Sequence, residues 1–194
     1  MAIEDDNLHF DREQGMSVDA NSVDNGGGRG IIIDEGRGDL MEERGANGQR
    51  RSPHVDLTDD EVEFLKGEIR AIEADENVFA FNQGRATSYD DDDDEISVRA
   101  NVFPNENSTH PRDLMSPRAV LAHEYYGHRA NRGTRLAQSS WNDEFRASYM
   151  AAQNAPNLSQ QDRAYLIMDA LERAKDAGVT VRYNSVMRGI LHGY

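Results

Sequence analysis

Two histidines stand five residues apart in His123-Glu124-Tyr125-Tyr126-Gly127-His128, and this spacing restricts the local fold more than any other feature of the chain. On a regular α-helix five residues turn two side chains about 140° apart, too divergent to meet at one point. If the imidazoles act together, the helix must absorb one extra residue, and a single π-turn does so by widening one coil. Gly127 sits where that distortion wants freedom and little bulk. An interior helical glycine costs about 0.5–1 kcal/mol against alanine, so its presence needs a reason. The surroundings are those of a helix: Ser116 as N-cap, Pro117 in the first turn, Gly133 at the exit.

Two imidazoles and a carboxylate on one short stretch suit a metal ion with a water beside it. The chain has no cysteine, so a transition-metal site here must combine His with Asp or Glu. A third ligand can come from Asp143-Glu144-Phe145-Arg146-Ala147, on a helix expected over residues 141–153 with Ser140 as its cap. Asp143 and Glu144 face different sides of that helix, so only one of them can coordinate.

The remaining pattern is α+β and mainly helical. Thr58 and Glu61 form a capping box before Val62, Leu65, Ile69 and Ile72, predicting a helix over 59–74. Val78–Phe81 and Arg85–Tyr89 read as short strands about a turn at 82–84. The run Asp90–Asp94 with Glu95 lacks the spaced ligands and glycine of a calcium loop, and reads as solvated. Alternation from Ile96 to Phe103 predicts a strand with one buried face. A last long helix opens at Ser159, with Tyr165, Met168 and Leu171 inward, and stops at Gly178. Residues 179–194 suggest a short strand and a short helix.

Hydrophobic residues make up only 37% of the 194 and mean hydropathy is -0.80, low for a uniformly packed chain. Residues 1–55, rich in glycine and poor in large apolar side chains, read as a loosely docked or disordered segment, and 56–194 as one folded domain. The glycines at 26–30 and 36–38 do not make a dinucleotide fingerprint, because Ile33 stands where the third glycine belongs. A formal charge of -15 opposes sequence-independent binding to nucleic acid. No apolar run approaches the roughly 18 residues of a membrane span, and Met1–Phe10 lacks the signs of a signal peptide. A soluble protein with no membrane partner is expected.

His-Glu-x-x-Gly-His followed by Glu-Glu-x-Arg-Ala-acid resembles the signature pair of the dipeptidyl peptidase III family of zinc metallopeptidases. The counterparts are His123–His128 and Asp143-Glu144-Phe145-Arg146-Ala147-Ser148, about 26 residues in all; Asp143 replaces a Glu and Ser148 replaces the final acid. The resemblance implies one Zn2+ per chain on His123, His128 and Glu144, with Glu124 as general base, in a minimal zincin-like domain with a small antiparallel sheet beside the active-site helix. Asp143 is then free to accept the second ring N–H of a ligand histidine, and Arg146 to pair with an acid or lie in a surface salt bridge. Small zincins of this kind also resemble toxin or effector modules released from larger secreted proteins. The substrate is expected to be a peptide or protein, basic or neutral given the acidic surroundings, laid along Val98–Val102 as an extended shelf. A second electrophile is sought among Tyr149, Tyr183, His192 and Tyr194, with Tyr149 and His192 the named candidates. The competing reading is a non-catalytic acidic binder, a nucleic-acid mimic or inhibitor.

Overall fold

The computed structural model describes residues 50–133, 136–137 and 139–193, all within Gly36–Tyr194, the second of two compact units. The reading of residues 1–49 as a tail, with His9 and the glycine-rich stretches, lies outside the described residues. Residues 50–55 belong to the folded body. Arg50 bridges to Pro104, and Arg51 donates its N–H to Phe103 O at 3.1 Å while its guanidinium lies 5.3 Å from the Phe103 ring centre. The anchor is polar, which is why a search for apolar residues places the boundary too late.

Helix α1, Asp59–Ala71, begins at the expected capping box: Thr58 Oγ1 accepts from Glu61 N, and Glu61 Oε2 accepts from Thr58 N. Leu65, Ile69 and the following Ile72 are fully buried. A short 3-10 turn then leads into the sheet, made of β1 (Phe79–Phe81), β2 (Ser88–Asp90) and β3 (Glu95–Val98). The expected small sheet is present, but its pairing is mixed. β3 is central, parallel to β1 and antiparallel to β2. The residues after β1 therefore carry the chain across β3, and Gly84, at φ +70°, passes so close that a Cβ there would meet Ser97 Oγ at 2.5 Å. Ile96 and Val98, both fully buried, give β3 the apolar face of a central strand.

Central placement removes the substrate shelf expected at Val98–Val102, because β3 has no open edge. The strand also ends early, with Ala100–Val102 coiling into a 3-10 turn. Asn101 Oδ1 accepts from both the backbone N–H and the hydroxyl of Thr87 at 2.9 Å, a side-chain tie that substitutes for strand pairing. The acidic run forms the β2–β3 turn. Asp90 Oδ1 accepts from Asp92 N at 2.9 Å, and Asp94, still partly exposed, pairs with Arg129 at 2.9 Å and Arg132 at 3.1 Å.

The helices follow: α2 (Pro111–Leu114), α3 (Pro117–Ala122), α4 (Trp141–Asn154), α5 (Gln160–Asp176) and α6 (Ser185–His192). Ser116 and Ser159 cap α3 and α5 with their hydroxyls. Ser140 precedes α4 without doing so, its Oγ donating to Ala137 O instead. Packing is closest between α4 and α5 and between α4 and the continuation of α3. In α5 the buried residues are Asp162, Leu166, Ile167, Asp169, Ala170 and Ala174; Met168, expected inward, is 41% exposed. No strand forms in 179–184. Among the described residues, no helix is long and apolar enough to cross a membrane.

Candidate metal centre

Without a break after α3, His123–His128 form a π-helix, as the five-residue spacing predicts. The widened coil returns His128 to the face of His123, with ring centres 4.7 Å apart and Nε2 atoms 3.0 Å apart. Gly127 is needed for a reason other than conformational freedom. Its φ is not positive, but a Cβ there would stand 2.5 Å from Ala147 O and 2.7 Å from Ala147 Cα. The glycine lets the backbones of the π segment and α4 touch.

That contact brings the first turns of α4 to the imidazoles. Glu144 Oε2 lies 3.4 Å from His123 Nε2, and its Oε1 3.7 Å from His128 Nε2. Asp143 Oδ2 lies 3.3 Å from His128 Nδ1 and its Oδ1 accepts from Arg146 at 2.7 Å. The two adjacent acids face opposite nitrogens of the same ring, as their different helix faces require.

The outer hydrogen bonds assign the tautomers. An ionised Asp143 only accepts, so His128 carries its ring proton on Nδ1. Ser148 has one hydroxyl proton, given to Asp169 Oδ2 at 2.5 Å; it therefore accepts from His123 Nδ1 at 3.0 Å. Both neutral rings then turn bare Nε2 lone pairs toward each other and toward Glu144. Such an arrangement accommodates a cation between the two rings and Glu144. When the cation is a proton, the His128 pKa rises to about 10: burial opposes the charge, and Asp143, Glu144 and Glu124 outweigh it. Burial also opposes charge on Glu144, but His123, His128 and Arg173 hold it well below the usual carboxylate range.

A metal ion fits the same space. One donor atom from each of His123, His128 and Glu144 lies within 4.8 Å of the others. The separations of 3.0, 3.4 and 3.7 Å bracket the roughly 3.3–3.5 Å edge of a tetrahedron drawn with ordinary zinc–ligand bonds. Two imidazoles and a carboxylate suit zinc, whereas calcium and magnesium favour all-oxygen sets.

Glu124 faces the same space from the preceding turn. It is buried, and its Oε2 accepts the Tyr89 N–H at 2.9 Å. Tyr89, opposite Ile96 in the β2–β3 pair, thus directs its N–H to the π segment rather than to β3. Burial raises the Glu124 carboxyl above its ordinary range, opposed by His128 and His123. A cavity of about 300 Å³ opens over these groups, lined by His123, Glu124, His128, Glu144, Arg112 and Arg173 among others.

The remaining predicted site residues fall elsewhere. Tyr149 is 4% exposed, stacks on Phe145, and its hydroxyl accepts from Asn184 at 2.9 Å; it is a core residue outside the cavity lining. His192 is exposed at the end of α6 and does not line the cavity either. Tyr183 lies in a separate groove against α5, and Tyr194 lies outside the described residues. His54 is exposed, and His110 bonds Glu172 at 2.6 Å. Sequence reasoning missed Tyr89, Asp169, Arg112 and Arg173, and the bridging role of Ser148. Asp169 has no exposure and accepts from Arg112 Nε at 2.7 Å and Arg173 Nε at 2.9 Å. Local spacing does not mark them, because Asp169 and Arg173 lie on α5 and Arg112 on α2, away from the two motifs in sequence.

No family model matches the chain, and no curated protein or solved structure matches it either.

Proposed function

We propose that the chain is a zinc-dependent hydrolase that cleaves peptide bonds, holding one zinc ion on His123, His128 and Glu144. The observation that carries this reading is the pair of Nε2 atoms 3.0 Å apart, facing the same carboxylate, with each ring held from behind by the bond its Nδ1–H donates to Ser148 or Asp143. Zinc held by three protein ligands lowers the pKa of a water in its open position and polarises a carbonyl.

The chain's own groups supply the proton chemistry. Glu124, with Oε2 occupied by the Tyr89 N–H, offers Oε1 to take a proton from the attacking water. Water oxygen bonds to the carbonyl carbon, the C–N bond breaks, and Glu124 passes the proton to the departing amine. A carboxyl raised by burial is a better base than a solvated one, and Glu124 lines the same cavity as the two imidazoles. Asp143 and the Ser148–Asp169 pair keep the imidazoles in the ligand tautomer throughout.

Metal analysis of purified protein is expected to give about one zinc per chain, lost in His123→Ala and in His128→Ala. Glu124→Gln is expected to keep zinc and lose hydrolysis by about 10²–10⁴-fold. Failure of the wild-type protein to take up zinc on reconstitution removes the proposal, and full activity in Glu124→Gln removes Glu124 from it.

A further inference from the structure

The cavity gathers three arginines that the overall charge of the chain does not suggest. The whole protein carries -15, yet the lining sets Arg50, Arg112 and Arg173 against Glu124 and Glu144. An expectation of basic or neutral substrates rests on the global charge, which does not describe this local surface.

The three arginines are not equivalent. Arg50 directs its donors to the carbonyl oxygens of Asn101, Val102, Arg112, Asp113 and Met115. Arg173 gives Nε to Asp169 and Nη1 to Glu144, each at 2.9 Å. Arg112 gives only Nε, to Asp169 Oδ1 at 2.7 Å; among the described residues neither its Nη1 nor its Nη2 has a hydrogen-bond partner. Those two nitrogens form a planar fork matched to a carboxylate. Asp169 holds the stem of the fork with Oδ1 and, through Ser148, the His123 ring with Oδ2. One buried carboxylate thus sets the anchor relative to the metal-binding imidazole.

We infer that Arg112 binds a carboxylate of the substrate, with Arg173 Nη2 beside it. The substrate is then a short peptide with a free C-terminal carboxylate, or an acidic side chain, close to the bond that is broken. About 300 Å³ is at the low end for ligand sites, which keeps the anion within a residue or two of that bond. The inference rests on the peptidase reading for the cleavage and on the unpartnered guanidinium for the specificity.

The test uses the zinc-loaded full chain and three matched sets of short peptides: free C-terminal acids, C-terminal amides, and amides with an Asp or Glu beside the scissile bond. N-acetyl amino acids and their amides serve as uncleaved probes in calorimetry. One or both carboxylate-bearing sets are expected to exceed the neutral amides in kcat/KM by about 10-fold or more, the worth of a charge-assisted hydrogen-bonded pair. The better of the two names the source of the carboxylate. The ratio is expected to fall toward one in Arg112→Lys and Arg112→Gln. Cleavage with equal kcat/KM across all three sets overturns the anchor and leaves the peptidase reading standing. No cleavage, but Arg112-dependent binding of the N-acetyl acid over its amide, supports the anchor and removes the peptidase reading. The absence of both cleavage and selective binding overturns the anchor. If the Arg112 variants do not fold, the wild-type acid-to-amide ratio decides alone.

Discussion

Gly127→Ala tests the packing on which the centre depends. The new methyl group would lie 2.5, 2.7 and 2.8 Å from Ala147 O, Cα and C, where ordinary carbon contacts are about 3.5–4.0 Å. The obstacle is backbone, so no side chain can swing aside, and α4 must retreat by about 1 Å. Overpacking of this kind costs about 1–3 kcal/mol, and a backbone clash belongs at the upper end. Alanine returns about 0.5–1 kcal/mol of helix propensity, leaving a net loss of about 2 kcal/mol. For a chain of this length that is about 4–8 °C in Tm. Glu144 and Ser148 ride on the same helix as Ala147, so the retreat also opens the 3.4 Å and 3.0 Å spacings to His123, and zinc affinity is expected to fall at least about 10-fold. Thermal melts with and without zinc, and a competitive zinc titration, read both effects. Gly67→Ala is the control: it lies in α1, nothing stands within 4 Å of its Cβ, and it is expected to gain about 0.5–1 kcal/mol. A Gly127→Ala protein that melts like Gly67→Ala and binds zinc like wild type refutes the reasoning.

Ser148→Ala removes the acceptor for His123 Nδ1–H and a donor to buried Asp169; a 10–100-fold loss of zinc affinity and about 1–3 kcal/mol of stability are expected, and a titration matching wild type would count against the relay. Arg50→Met leaves five carbonyl oxygens without their shared donor, and a loss of about 3 kcal/mol or more in urea unfolding is expected; an unchanged midpoint would remove Arg50 as the N-terminal staple. Stability of chelator-treated protein should depend on pH on both sides. Asp143, Asp169 and Glu144 are lowered in the fold, so their contribution is present above about pH 4 and lost as pH falls through the folded values. His128 is raised to about 10, so its contribution is complete below about pH 6.5 and lost as pH rises toward 10. If zinc takes the place of that proton, as the proposed function requires, melts recorded from pH 6.5 to 10 should slope downward without zinc and flatten with it; identical slopes would separate His128 from the metal.

Much of the His123–His128–Glu144 cluster was legible because His123, Glu124 and His128 lie within six residues of one helix, where spacing decides which faces meet. The π-turn followed from five residues between imidazoles, and the division of labour between Asp143 and Glu144 followed from adjacent positions on α4. The sheet order was not legible. The alternation of Ile96 and Val98 shows that β3 has a buried face, but says nothing about which strands flank it, and the chain crossing near Gly84 depends on contact with Ser97. Tyr149 was a fair candidate by chemistry and failed by direction, pointing at Asn184 rather than the cavity.

A single error in α5 accounts for the largest omission. An apolar stripe through Tyr165, Met168 and Leu171 is a reasonable inward face, but the face in the structure runs through Leu166, Ile167, Ala170 and Ala174, about one residue or 100° away. Hydrophobic periodicity chose the wrong stripe because the right one also carries Asp162 and Asp169, and a buried acid looks like a surface position until its partners are known. For Asp169 those partners are Arg112, Arg173 and Ser148, on three different helices. Rotating α5 outward by that angle hides Asp169, and with it the support of His123 and the fork of Arg112. Asp169 reaches the His123 ring through Ser148 on one side and accepts from Arg112 and Arg173 on the other, so one buried carboxylate ties together groups from three helices.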